Sequence, residues 1–175
     1  LSRGIRTSVS RMKKKRLKPV ESYDFLETPL GILYLVFSGG LLSGISFERP
    51  RDVPLRHSES VSPVKKELTE YFEEGRRAFT CQTTFLEGTE FERGVWLCLL
   101  DVPYGETRTY KWLAEKIGRP RACRAVGNAL GRNPIPVIFP CHRIIESDGS
   151  LGGYTPGSDV KRRLLDMEYY RKKAG

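Results

Sequence analysis

The sequence predicts an α+β fold in two domains, and three observations carry that expectation. Residues 23–48 form a β-rich run broken twice by turn residues, amphipathic helical segments fill the second half, and the charge balance changes sign between the halves. At 175 residues the chain can bury a sizeable core as one large or two small domains. No apolar run approaches the length that crosses a bilayer, so a soluble chain with no membrane partner is expected.

Residues 1–18, LSRGIRTSVSRMKKKRLK, hold eight Lys and Arg and no acid. They read as a disordered basic tail outside the fold, adding at most loose phosphate affinity. The first domain, residues 19–88, contains YDFLETPLGILYLVFSGGLLSGISFE, three strands parted by Pro29 with Gly31 and by Gly39-Gly40: an antiparallel meander. SPVKKELTEYFEEG then reads as a helix with Ser62 as N-cap and Pro63 at its first position. Its apolar face carries Val64, Leu68, Tyr71 and Phe72, and Gly75 ends it.

The second domain, residues 89–175, opens with the capping box Thr89-x-x-Glu92 and a helix with Phe91, Val95, Cys98 and Leu99 at apolar spacing. After Pro103 and Gly105, GETRTYKWLAEKIG reads as a second helix with Trp112, Leu113 and Ile117 inward. RPRACRAVGNALG reads as a third, with Pro120 in its first turn and Gly131 past its last. Two short helices joined by about three residues have the punctuation of a helix-turn-helix. IPVIFPCHRII reads as a stiff, buried, extended connector fixed by Pro134, Pro136 and Pro140. Asp148-Gly149 signals a hairpin. SDVKRRLLDMEYY is a last helix capped by Ser158, with Val160, Leu164 and Leu165 inward and Glu168 turned back toward the domain.

The net charge is +9, but the tail holds most of it. Residues 19–88 carry 7 basic and 11 acidic residues, whereas residues 105–143 carry eight Lys and Arg against Glu106 and Glu115. A basic stretch beside an acidic half is the footprint of a polyanion-binding face. The third helix offers Ala122, Ala125, Gly127 and Ala129, with Arg119, Arg121 and Arg124 near its N-terminal half. Small side chains cannot read base edges in a major groove; they allow close approach of backbone. A helix about 10–12 Å across can enter a minor groove about 6 Å wide only if its residues are small and the groove opens. The expectation is minor-groove binding without sequence reading, with an arginine filling space in the base stack.

Four scattered cysteines and two histidines, His57 and His142, show no metal-ligand spacing. Cys98 reads as a small core residue. Cys141 and His142 are the chemically active pair: a free thiol has a pKa of about 8.5 and needs a base or positive potential to attack. Neighbours in an extended segment point to opposite sides, so His142 would act through a water or a rearranged turn, and an acid such as Glu168 would orient it.

VPYGETRTY, RACRAVGNA, NPIPVIFPCHRI and LGGY, in that order along the chain, closely resemble the O6-alkylguanine-DNA alkyltransferases. The resemblance is dense over residues 87–170 and looser through TPLGILYLVFSGGLLSGISFE. It implies a ribonuclease H-like N-terminal domain and a winged-helix-like C-terminal one. It further implies that Cys141 accepts an alkyl group from the O6 atom of guanine, and also from O4-alkylthymine, in a flipped nucleotide of double-stranded DNA. His142 deprotonates the thiol through a water, Glu168 orients His142, and Asn133 braces the turn before the thiol. Tyr110 donates to the base and crowds the phosphate. Arg124 fills the vacated stack, while Arg119, Arg121, Ala122, Cys123, Ala125 and Gly127 form the DNA face. Tyr154, Thr155 and Pro156 line the base pocket, and the carbonyls of Cys141 and Ile144 accept from the guanine amino group. Cys123 stands where the family usually has alanine. No cofactor is implied; some relatives hold a zinc, but its ligands are not evident in this sequence. A monomer is implied, cytoplasmic in a prokaryote or nuclear in a eukaryote. Three rivals are a lesion sensor without repair, a cysteine hydrolase built from Cys141, His142 and Asn133, and a transcription regulator. The presence of Cys141 argues against the first, and the adjacency of Cys and His with a basic helix pair argues against the second. The alanine-rich helix argues against the third.

Overall fold

The computed structural model describes residues 21–56 and 62–175. The basic tail and His57 lie outside them, as does the side chain of Ser62. The N-terminal half is a meander of β1 (Glu21–Thr28), β2 (Gly31–Ser38) and β3 (Leu41–Ser46), antiparallel in the order β1-β2-β3. Period-two burial puts Leu33, Leu35 and Phe37 into the core, and a bulge between Val36 and Phe37 shifts the register against β3. Helix α1 (Ser62–Glu74) buries Val64, Leu68, Tyr71 and Phe72 as its spacing predicts, and Gly75 ends it at a φ of +77°.

The C-terminal half is mostly helical. Helix α2 (Glu90–Cys98) starts at the predicted capping box: Thr89 Oγ1 accepts from the Glu92 amide and Glu92 Oε2 from the Thr89 amide. Its stripe turns Val95 and Trp96 fully inward, and a 3-10 turn, Leu99–Asp101, follows. The short strand β4 (Arg108–Thr109) leads into α3 (Tyr110–Lys116), capped by Thr109. Helix α4 (Cys123–Gly131) begins later than the sequence suggests. Pro120 lies in a separate turn, closed by the Ala122 amide on the Arg119 carbonyl at 2.9 Å, so residues 117–122 separate the two helices. Gly131 is the last residue of α4 rather than the one beyond it.

Three further expectations are corrected. The connector is not extended: the Phe139 amide bonds the Ile135 carbonyl, Val137 adopts a φ of +75°, and Cys141–Arg143 form a 3-10 turn. The Asp148-Gly149 turn forms, but β5 (Ile144–Ile145) before it pairs in parallel with β4 rather than into a hairpin. Helix α5 (Ser158–Ala174) has Gly157, not Ser158, at its cap, and buries Lys161, Leu164 and Glu168, with Leu165 only half-buried.

The two halves share one continuous hydrophobic core. The Ile45 amide of β3 donates to the Pro134 carbonyl at 2.9 Å, and Phe85 packs at a tilt against both Trp96 and Phe139 with ring centroids 5.0 Å from each. The loop carrying the thiol is thus pinned to the N-terminal sheet. Trp96 Nε1 donates to the Ala129 carbonyl at 2.7 Å, fixing α4 on α2.

Candidate functional site

The 3-10 turn after Pro140 sends three successive side chains to three tasks. Cys141 is buried, and its Sγ accepts from Asn133 Nδ2 at 3.1 Å. The same amide donates to the Phe139 carbonyl at 2.8 Å, while Asn133 Oδ1 accepts from the Ile135 amide at 3.1 Å. One side chain therefore ties the end of α4 to the turn that presents the thiol. Burial pushes the thiol up to about 11, with the Asn133 bond and the positive charge of Lys161 opposing it. Cys141 is therefore a thiol at neutral pH, and a base must take its proton before it can attack.

His142 is fully buried, with Nε2 2.8 Å from Glu168 Oε1. Burial alone would raise Glu168, but His142 and Arg143 hold it well below the usual carboxylate range. Because that carboxylate is ionised, Nε2 carries the proton and Nδ1 is the acceptor. Burial keeps the ring below its ordinary value, with the charge on Glu168 acting the other way. The imidazole is neutral at pH 7, and its buried Nδ1 makes no hydrogen bond among the described residues. Arg143 grips the same carboxylate through Nε and Nη2, each at 2.9 Å, and donates Nη1 to the Val102 carbonyl at 2.8 Å. The Gly105 amide reaches Oε2 at 3.0 Å and the Tyr71 hydroxyl reaches Oε1 at 2.6 Å.

A cavity of about 960 Å³ opens over the thiol. Of the predicted residues, Tyr110, Cys123, Arg124, Gly127, Asn133, Cys141, Tyr154, Thr155 and Pro156 line it. His142 and Glu168 lie behind the thiol, out of solvent. Ile144 departs from expectation: it is fully buried, is not part of the cavity wall, and its carbonyl already accepts from Lys161 Nζ at 2.6 Å. Ala122, Ala125, Arg119 and Arg121 are outside the cavity, on and before α4. Arg119, Arg121 and Arg124 are exposed and carry no ion pair among the described residues. Tyr110 packs against α4 beside Gly127, where an added Cβ would make only an ordinary 3.8 Å contact with the ring. Tyr154 has a buried hydroxyl with no partner among the described residues, and the Thr155 hydroxyl donates to the Gly131 carbonyl at 2.8 Å.

Sequence reasoning missed several contributors. The end of β3 supplies Ile45 and Ser46 to the cavity wall, and the residues just after it supply Phe47 and Glu48. Lys161, fully buried, donates to the carbonyls of Ile144, Leu151 and Gly153, fastening the loop that carries Tyr154. The spacing Lys161, Leu164, Glu168 was the available signal, because it puts the lysine on the stripe that turns inward. Among the described residues no cluster of His, Cys, Asp and Glu could hold a metal ion, and no helix is long and apolar enough to cross a membrane.

A secluded thiol facing a cavity walled by a small-residue helix, beside arginines that carry no ion pair among the described residues, defines a DNA-binding, cysteine-based transferase. Residues 90–170 match the family described as 6-O-methylguanine DNA methyltransferase, DNA binding domain. A methylated-DNA–protein-cysteine methyltransferase of Methanosarcina barkeri is 41% identical over 152 residues, covering 83% of this chain and 96% of that protein. The Mycobacterium tuberculosis protein of the same name is 39% identical over 157 residues, covering 87% and 94%. A crystal structure of M. tuberculosis OGT in complex with DNA superposes with a TM-score of 0.80 at 38% identity, covering 86% of this chain and 94% of that one. The chain belongs to the methylated-DNA–protein-cysteine methyltransferase family.

Proposed function

We propose that this protein repairs DNA by transferring the alkyl group of O6-alkylguanine to Cys141, acting once per molecule as a monomer and without a cofactor. Residues 89–175 form the DNA-binding and transfer domain, and residues 19–88 the N-terminal domain that buttresses it. A guanine inside a duplex hides the alkyl carbon from backside attack, so the nucleotide must leave the stack, at a cost of a few kcal/mol that groove contacts offset. Helix α4 lies in the minor groove, Arg124 fills the vacated stack, and Arg119 and Arg121 hold phosphates. Tyr110, Tyr154, Thr155 and Pro156 contain the flipped base.

The observation that carries this reading is the wiring of the thiol: Asn133 on Cys141 at 3.1 Å, and His142 on Glu168 at 2.8 Å beside it. The thiol proton passes to His142 Nδ1 through a bridging water, and Glu168 stabilises the imidazolium. Sulfur then attacks the alkyl carbon in line; the S–C bond forms as the C–O bond to guanine breaks, the departing base takes a proton from the nearby Tyr110 hydroxyl, and the proton held by His142 returns through water to restore that hydroxyl. The product is a thioether, which has no ready hydrolytic exit, so turnover stops at one. O4-alkylthymine fits the same chemistry. Such a protein works wherever the genome is kept, the cytoplasm in a prokaryote.

The test is to mix the protein with duplex DNA carrying O6-methylguanine and weigh its peptides. The Cys141 peptide gains one methyl in place of a proton, and Cys141→Ala binds the DNA but gains nothing. An unmodified Cys141 after incubation with excess lesion overturns the reading.

A further inference from the structure

We infer that Tyr71, from the N-terminal half of the chain, is a positioning residue for proton transfer: its hydroxyl holds Glu168 Oε1 and sets how much of that carboxylate's charge reaches His142. The inference rests on the role proposed above for His142.

Tyr71 is fully buried on the core face of α1, a place where phenylalanine would serve packing equally well. A hydroxyl taken out of water costs stability unless it finds a partner. This one donates to Glu168 Oε1 at 2.6 Å, across 97 residues of sequence. Its aim is fixed on every side. The ring packs on Phe72, Phe79 and Tyr104 at 5.0, 5.6 and 6.0 Å, and Arg171 Nη1 holds the Tyr71 carbonyl at 2.8 Å. Burial and the adjacent carboxylate keep the phenol well above its ordinary range, so it remains a donor whenever the protein is folded.

Oε1 is shared by three donors, Tyr71, Arg143 Nη2 and His142 Nε2. Charge drawn by the first two is charge the imidazole does not feel, which agrees with a ring that stays neutral although it touches an anion. Other groups face His142 as well. Glu168 and Lys161 come from α5, and Arg143 and Cys141 from its own turn. Tyr104 and Arg171 lie against the Glu168–Tyr71 side of the network. Removing the Tyr71 hydroxyl changes neither a formal charge nor the shape of the core, so it isolates this effect.

The experiment measures the single-turnover rate of methyl transfer from O6-methylguanine duplex against pH for the full chain, Tyr71→Phe and Phe79→Leu. In Tyr71→Phe the imidazole holds its proton to higher pH, and the acidic inflection of the rate profile moves up by about 0.5 to 1 pH unit. Phe79→Leu touches the Tyr71 ring but not Glu168; it lowers the melting temperature and leaves the inflection in place. A wild-type inflection in Tyr71→Phe, or equal shifts in both variants, overturns the inference. If the wild-type chain transfers normally, that failure belongs to Tyr71 alone; if it takes no methyl at all, the proposed function falls and this inference with it.

Discussion

Lys161 Nζ lies 2.6 Å from the Ile144 carbonyl, on a side chain with no solvent exposure. Burial pulls the ammonium below its ordinary range, and it is balanced by backbone dipoles of one loop rather than by a paired carboxylate. Lys161→Met keeps the length and removes the donor. The carbonyls of Ile144, Leu151 and Gly153 then lose a shared partner, at roughly 1–3 kcal/mol per group left unsatisfied. Relief from burying a charge offsets part of that loss. The net expectation is a destabilisation of about 2 kcal/mol in urea unfolding. Methyl transfer also slows, because the loop to Tyr154 loses its anchor. Unchanged unfolding and unchanged transfer would mean that the lysine is incidental.

Stability falls in two stages as pH drops. His142 is neutral in the fold, whereas an unfolded histidine titrates near about 6.5; below that, the unfolded chain binds a proton the folded one refuses, so stability declines. Glu168 is held below the usual carboxylate range, so its contribution is present above about pH 4.3 and fades as pH falls toward its lowered folded value. Cys141 works in the other direction: its folded thiol is raised to about 11, so stability is lost as pH climbs past the unfolded value of about 8.5. Urea midpoints from pH 4 to 10 should trace a dome. A Cys141→Ala chain should keep more of its stability on the alkaline side, and a wild-type profile that is flat from pH 8 to 5 would contradict a buried neutral histidine.

Cys141 should be a slow nucleophile toward small reagents despite its central place. With the thiol raised to about 11, only about one molecule in several thousand is thiolate near pH 7.5, and the sulfur is buried besides. Cys123, half-buried at the start of α4, has the more open approach. Iodoacetamide should therefore modify Cys123 first in the folded protein, with Cys141 following only in denaturant. Fast, selective labelling of Cys141 would show that its proton leaves before substrate arrives.

What the sequence makes legible is whatever depends on neighbours in sequence. The Thr89–Glu92 box, the strands between Pro29 and Gly40, and the apolar face of α1 are local, and each forms as its residues dictate. Contacts between distant segments were not legible. Tyr71 reads as core because its hydroxyl finds Glu168 only through tertiary packing, and Lys161, although its spacing with Leu164 and Glu168 points it inward, finds its carbonyl partners only in the folded chain. The Ile45–Pro134 bond brings β3 to the cavity although nothing in FERP suggests a pocket wall. The connector misled for a different reason. Proline disfavours a helical residue before it but does not force a straight chain, and Val137, between Pro136 and Ile138, takes a left-handed turn that a β-branched residue rarely tolerates.

The LGGY motif allows a sharper test, since its two glycines sit in opposite circumstances. Gly152 has a φ of +67°, and a Cβ there would lie 2.9 Å from the Tyr110 hydroxyl and 3.2 Å from Glu146 Oε1. Gly153 has open space around it, with nothing within 4 Å of an added Cβ. Gly152→Ala therefore strains the backbone, at about 1 kcal/mol or more, and pushes the Tyr110 hydroxyl out of place. Gly153→Ala does neither. Transfer from O6-methylguanine duplex should slow at least tenfold in Gly152→Ala, while affinity for undamaged DNA stays near wild type because the arginines on and before α4 are untouched. Gly153→Ala should stay close to wild type in both. Equal behaviour of the two variants would remove the contact with Tyr110 as the reason this loop carries glycine.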